Sequence, residues 1–201
     1  MDNFQTHEKV LSFLFEAFGV KKVFETGMGL YSTGLFLEKA QKVISIEMQN
    51  ESWYRKIEEK YGENENFSSE LFLDAKDAYG FIDSLDESCD FAFVDGALDR
   101  WRQINKLFSK VDIIVAHDTE ADCYLWNRVV LPPTWKWIEV EDSQPWTSII
   151  TCREDVEKSA VDHFGKTTVY DKYTFGDKKY LIRNSAGLQP HDMRIHDSGI
   201  S

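Results

Sequence analysis

The sequence predicts an α/β fold in which a mostly parallel sheet carries helices on both faces and ends in an antiparallel C-terminal strand pair. Three features predict it. Short β-branched or aromatic runs alternate with helical patterns from residue 8 to residue 116, as expected of strands joined by crossover helices. A Gly-x-Gly turn, Gly27-Met28-Gly29, stands between the first such run and the helix that follows it. Two later runs, 135–140 and 147–152, are joined by a polar connection too short for a parallel crossover, so they pair antiparallel.

The elements follow in order. Val10, Leu11, Phe13, Leu14, Phe15 and Phe18 fall mostly on one stripe of a helix over Glu8–Phe18, and Gly19 ends it. Val23–Thr26 is a short apolar strand, and Leu35–Ala40 is the helix leaving the glycine turn. Val43–Ile46 is a second buried strand ending in Glu47, and Trp53–Tyr61 is an amphipathic helix. A third strand is expected at Glu70–Leu73, with a helix over Ala78–Leu85. Phe91–Val94 is the fourth strand, ending in Asp95, and Leu98–Phe108 is helical. Val111–Ala116 is the fifth, ending in His117-Asp118. After Leu131-Pro132-Pro133 the alternation stops, and Lys166–Arg183 reads as a further hairpin turning near Gly176-Asp177. Residues 1–184 therefore read as one domain and 185–201 as a flexible polar tail.

With 201 residues, 42% of them hydrophobic, the chain can bury one substantial core. A formal net charge of -12 disfavours nucleic acid as a partner, since a phosphate backbone is bound by displacing its counterions with Lys and Arg. Cys89, Cys123 and Cys152 form neither a C-x-x-C pair nor a disulfide framework, and the N-terminus lacks a basic region followed by an apolar run. No stretch approaches the about 20 apolar residues of a spanning helix. The expectation is a cytoplasmic protein acting on a small molecule, off the membrane, with a homodimer left open.

The chemistry gathers at strand ends. A glycine lets backbone N–H groups approach a ligand closely, and a following helix N-terminus favours an anionic group. Position 32 is Ser where a dinucleotide fingerprint needs its third glycine, so the pyrophosphate pattern is incomplete. Glu47 lies 18 residues beyond Gly29, near the spacing at which a strand-end carboxylate accepts bonds from two ribose hydroxyls. Its plain alternative is a solvated acid. Asp95, His117 and Asp118 sit at the carboxyl ends of adjacent predicted strands, the rim where open α/β sheets hold ligands.

Glu25-Thr-Gly-Met-Gly, Val43-Ile-Ser-Ile-Glu47, Phe91-Ala-Phe-Val-Asp95-Gly and Val115-Ala-His117-Asp118-Thr have the order and spacing of class I S-adenosylmethionine-dependent methyltransferases. Over residues 20–151 the chain resembles, on this Rossmann-like plan, the small O-methyltransferase-like branch of macrocin-type, catechol and caffeoyl-CoA enzymes. The resemblance implies S-adenosylmethionine as methyl donor. Gly27 and Gly29 would pass under its methionine portion, with Glu25 and Ser32 near the amino and carboxylate ends. Glu47 would hold the ribose and Met48 pack on adenine, while Asp77, or in competition Asp74, would meet the adenine amino group.

A hydroxyl acceptor needs alignment and removal of its proton, for which Asp95, His117 and Asp118 are the candidate catalytic groups. The metal-dependent members of that branch carry an Asp-Asn pair where Asp118 is followed by Thr119. Asp95 and Asp118 are therefore candidate Mg²⁺ ligands, with Glu120 as a third, or acids that only position substrate. His117 reads equally as a general base or as a satisfied strand-end histidine. Arg100 and Trp101 are read as lining a substrate cleft, whereas Trp126, Trp135 and Trp137 are read as core. A Rossmann-like binding protein without turnover and a nicotinamide-dependent oxidoreductase remain as alternatives.

Overall fold

The computed structural model describes residues 6–48, 50–85, 89–96, 99–142 and 144–176. Eight strands among them, β1 (Lys22–Thr26), β2 (Lys42–Met48), β3 (Phe67–Phe72), β4 (Phe91–Val94), β5 (Ile113–His117), β6 (Lys136–Val140), β7 (Thr147–Thr151) and β8 (Thr167–Tyr170), form one sheet. Its order is β3-β2-β1-β4-β5-β7-β6-β8. Strands β1 to β5 are mutually parallel, while β7 runs antiparallel to both β5 and β6. This is the Rossmann-like α/β plan with its antiparallel C-terminal pair. No helix among the described residues is long and apolar enough to cross a membrane.

Successive strand side chains point to opposite faces, and each face has its own apolar cluster. Phe24, Ile46, Ala92, Val94 and Ile114 pack with α4 (Ala75–Ser84) and α5 (Arg100–Leu107) through Ala78, Ile82, Ile104 and Leu107. Val23, Val43, Phe91, Phe93 and Val115 pack on the other face against α1 (Glu8–Phe18), α2 (Ser32–Lys39) and α6 (Glu154–His163). Burial on both faces explains why β4 reads as an unbroken apolar run. The remaining helix, α3 (Glu51–Tyr61), follows β2.

Several boundaries differ from the sequence expectation. Helix α2 begins at Ser32 rather than Leu35, because the Ser32 and Thr33 hydroxyls find a buried carboxylate to bind. Strand β3 starts three residues earlier than expected and ends one earlier, in register with β2 from Val43↔Phe67 to Met48↔Phe72. Asp74 caps α4, its side chain accepting from the Lys76 N–H at 2.7 Å. Helix α6 was not foreseen. Of the expected Lys166–Arg183 hairpin, the described residues contain β8, antiparallel to β6, followed by a turn on Asp171. The second arm and the 185–201 tail lie outside the described residues.

One topological feature positions the site. Strands β1 and β4 are neighbours, yet the helices that follow them, α2 and α5, pack on opposite faces. The chains that leave these two paired strands therefore diverge to opposite faces, leaving a crevice above their joined carboxyl ends at the switch point of the sheet.

Candidate functional site

The crevice is floored by the glycine turn. Gly27 N–H donates to the Ile46 carbonyl at 2.9 Å, and Asp95 N–H to the Thr26 carbonyl at 2.9 Å, so the exits of β1, β2 and β4 are bonded together. Gly27 has φ +83°, and a Cβ there would stand 2.3 Å from the Gly96 nitrogen. Beside it, Met28 N–H donates to Glu47 Oε2 at 3.2 Å and Met48 N–H to Oε1 at 3.1 Å. Glu47 thus faces the turn from across the crevice. Its burial pushes its pKa up to about 7, against the pull of those N–H groups.

Glu25 is placed differently from the role the resemblance implied. It is fully buried beneath the turn, where Ser32, Thr33 and Ser45 hydroxyls donate to it at 2.6, 2.7 and 2.7 Å. Thr33 Oγ1 in turn accepts from Gly29 N–H at 3.1 Å. Glu25 therefore braces the turn from below, and the Ser32 hydroxyl is committed to it. Burial raises the Glu25 pKa to about 7 as well. Met48 is buried in the apolar cluster beside Gly96 and, like Asp77, is not among the residues lining the crevice. Asp77 is exposed on the first turn of α4 and lines neither part of the crevice.

The crevice has two lobes that share Met28, Trp53 and Asp95. One, of about 240 Å³, adds Gly27, Glu47, Asn50 and Gly96. The other, of about 290 Å³, adds His7, Gly29, Leu30, Tyr31 and Ser32. Trp53 is anchored by its indole N–H on the Met28 carbonyl at 2.6 Å. A larger hollow of about 730 Å³ lies by Thr151 and α6, beside the start rather than the end of β5, and holds none of these groups.

Behind Asp95 lies an ion cluster. Arg100, only 3% exposed, bridges Asp95 Oδ1 and Asp118 Oδ2 at 3.1 Å each, and its guanidinium stacks 3.6 Å from the centre of the Tyr124 ring. Burial opposes the Arg100 charge, yet Tyr124, Asp118 and Asp95 hold its pKa above the ordinary guanidinium value. Burial raises Asp95; at Asp118 burial pulls the same way, but Arg100 and His117 outweigh it and hold the carboxyl below its usual range. Asp118 adopts φ +55°, a left-handed conformation that Asp tolerates better than most residues. Its Oδ1 lies 3.4 Å from His117 Nε2, while His117 Nδ1 meets Thr147 Oγ1 at 3.2 Å.

Sequence reasoning missed two members of this site, Tyr124 and His7, and gave a third, Arg100, a different role. Arg100 was read as lining a cleft, but it is a buried counter-ion; Trp101, on α5, has the Arg102 and Arg128 guanidinium groups 5.1 and 5.4 Å from its ring centre. Tyr124 had no signal at all. His7 lines the second lobe, edge-on to His117 with ring centres 4.8 Å apart. Burial first, then His117, lowers the His7 pKa to about 3, so its ring is neutral. Its Nδ1 has no partner among the described residues. Trp126, Trp135 and Trp137 are buried in the core, as expected.

No protein-family model matches this sequence, and no curated protein matches it either. Solved structures do match. The chain is similar to an O-methyltransferase from Bacillus cereus in complex with SAH, at a TM-score of 0.57 and 16% identity over 73% of this chain and 80% of that one. It is also similar to an SAH-bound methyltransferase from Podospora anserina, at a TM-score of 0.55 and 14% identity over 76% and 81%. The chain has the class I methyltransferase fold.

Some members of the branch resembled use a divalent cation at positions matching Asp95 and Asp118, so the fit of such an ion to this methyltransferase fold can be tested on geometry. Asp95, His117 and Asp118 each bring one ligand atom within 4.8 Å of the others. However, Arg100 already occupies the space between the two carboxylates. Glu120, the third ligand envisaged, accepts the Trp146 N–H at 2.8 Å and stands outside the cluster. The residues present do not fit a Mg²⁺ ion.

Proposed function

We propose that the protein transfers the methyl group of S-adenosylmethionine to a hydroxyl of a small molecule. The observation that carries this reading is the pairing of a main-chain turn only glycine can make at position 27 with the Glu47 carboxylate facing it. Glu47 accepts the two ribose hydroxyls, and the Gly27–Gly29 main chain passes beneath the methionine portion. When bound, the donor supplies an activated methyl whose bonding electron pair returns to sulfur as the new bond to oxygen forms. Asp95 lines both lobes and takes the hydroxyl proton; its raised pKa makes it a better base than an ordinary carboxylate. The His117–Asp118 pair and Arg100 hold it from behind. Among the described residues no lysine or arginine lines either lobe, which favours an uncharged acceptor over a phosphorylated one.

Calorimetric titration with S-adenosylmethionine and S-adenosylhomocysteine tests the donor site, and labelled-methyl transfer to a panel of hydroxylated metabolites tests turnover. Saturable micromolar binding is expected. Absence of heat at millimolar ligand rules the reading out, whereas binding without transfer to any acceptor favours a protein that holds the cofactor without turnover.

A pH dependence follows from Glu47. A carboxylate accepts both ribose hydroxyls, but a protonated acid keeps only part of that capacity, so affinity should rise as pH climbs through about 7. Titrations from pH 6 to 8 should show the donor binding more tightly at the upper end, with proton release on binding. Glu47→Gln should weaken binding on the order of tenfold or more and flatten this profile. An unchanged slope in that variant would assign the effect to another group.

A further inference from the structure

We infer that Arg100 stands in place of the divalent cation of the metal-dependent branch, so that this site works without a metal ion. The part concerning turnover rests on the methyl-transfer reading; the part concerning ion binding does not. An arginine side chain has five N–H donors, and five protein oxygens lie within 3.1 Å of its three nitrogens here. Nε donates to the Gly96 carbonyl at 2.6 Å. Nη1 meets the His117 carbonyl at 2.6 Å and Asp118 Oδ2 at 3.1 Å. Nη2 meets the Asp95 carbonyl at 3.0 Å and Asp95 Oδ1 at 3.1 Å. Tyr124 covers the face of the guanidinium.

This arrangement does three things a bound cation would do. It places positive charge between two carboxylates, ties the β4 exit at Asp95 and Gly96 to the β5 exit at His117, and fixes the direction of the cleft-facing Asp95. It does not do a fourth. A metal can exchange a water for a substrate oxygen, but Arg100 has no donor left to offer. An acceptor is therefore not held by chelation, and a lone hydroxyl is as suitable as a vicinal diol. Arg100 is a positioning residue. For a metal ion to enter, the guanidinium would have to leave three main-chain carbonyls and the Tyr124 ring at once.

Titration of the full chain with Mn²⁺, followed by electron paramagnetic resonance, reads the inference directly. The wild type should show no site up to millimolar Mn²⁺, and Arg100→Ala should gain one, as its two carboxylates and His117 are left without a counter-ion. Adding Asp118→Asn to that variant should remove the gained site. One-to-one binding to the wild type that Asp118→Asn abolishes overturns the inference. So does a folded Arg100→Ala that gains no affinity for Mn²⁺. If Arg100→Ala does not fold, the wild type and Asp118→Asn titrations decide alone. Once an acceptor is identified, turnover should survive exhaustive chelation, and an activity that chelation abolishes and Mg²⁺ restores refutes it. A protein that binds neither Mn²⁺ nor the methyl donor keeps this inference and loses the proposed function; one that binds donor but requires metal does the reverse.

Discussion

Gly27→Ala should abolish measurable S-adenosylmethionine binding and lower stability by about 3 kcal/mol or more. Two effects add. The residue sits at φ +83°, where a side chain is strained whatever the space around it. The new methyl would also lie 2.3 Å from the Gly96 nitrogen, 2.4 Å from its Cα and 2.6 Å from the Asp95 carbonyl carbon, all main chain. Relief requires β1 and β4 to part at their carboxyl ends, which breaks the Asp95 to Thr26 bond and moves Met28 N–H away from Glu47. Gly80→Ala is the matched control: it lies within α4 with nothing within 4 Å of the added carbon. It should stabilise the protein by roughly 0.5–1 kcal/mol through helix propensity alone. Urea denaturation and calorimetry of the two variants make the comparison. Retention of wild-type donor affinity by Gly27→Ala would mean that the turn carries no ligand.

The turn could be foreseen because its signal is local: an apolar run, two glycines and a helix are adjacent in sequence, and the β2 acid falls at a spacing fixed by one crossover. Fold class was legible for the same reason, since burial of β4 and β5 on both faces writes itself as continuous apolar residues. Strand β3 was misplaced because Phe67-Ser-Ser-Glu-Leu-Phe lies at the sheet edge, only partly buried, and carries no such run. Helix α6 was missed because only Val156 and Ala160 of its ten residues are buried.

The site divides in the same way. Glu47 and Asp95 end strands and could be read off; the partners that set their behaviour come from elsewhere in the chain. Arg100 looked like a cleft residue because arginine is seldom buried, and its burial is made tolerable by Asp118, which approaches from the end of β5 to join Asp95 and three main-chain carbonyls. Glu25 shows the converse. Its position in the motif was legible, but the three hydroxyls of Ser32, Thr33 and Ser45 that turn it inward belong to α2 and β2. His7 lies over the second lobe because α1 packs under the sheet face beside Phe93, a tertiary fact with no local trace.

Arg100→Met should cost about 3–5 kcal/mol of stability, the range for breaking a buried ion pair by removing one partner. Methionine fills much of the same volume, so the loss measures charge rather than cavity. The sign of the pH dependence separates this account from simple misfit. In the wild type, Asp118 is held below its ordinary pKa, so its contribution is present above the unfolded value of about 3.8 and is lost as pH falls through the lower folded value. Without Arg100, burial is opposed only by His117 and, at Asp118, by Tyr124, and both carboxyls should move upward. A folded pKa above the unfolded one gives stability that is present in acid and lost as pH rises through the folded value. The variant should therefore gain stability on mild acidification, relative to the wild type, where the two curves would otherwise run parallel. Asp95→Asn and Asp118→Asn added together to Arg100→Met should recover most of the loss, because the cluster is then neutral throughout. Urea titrations across pH 4 to 8 read both effects; a loss under about 1 kcal/mol, or parallel pH curves, would show that the guanidinium is not what holds the two acids together.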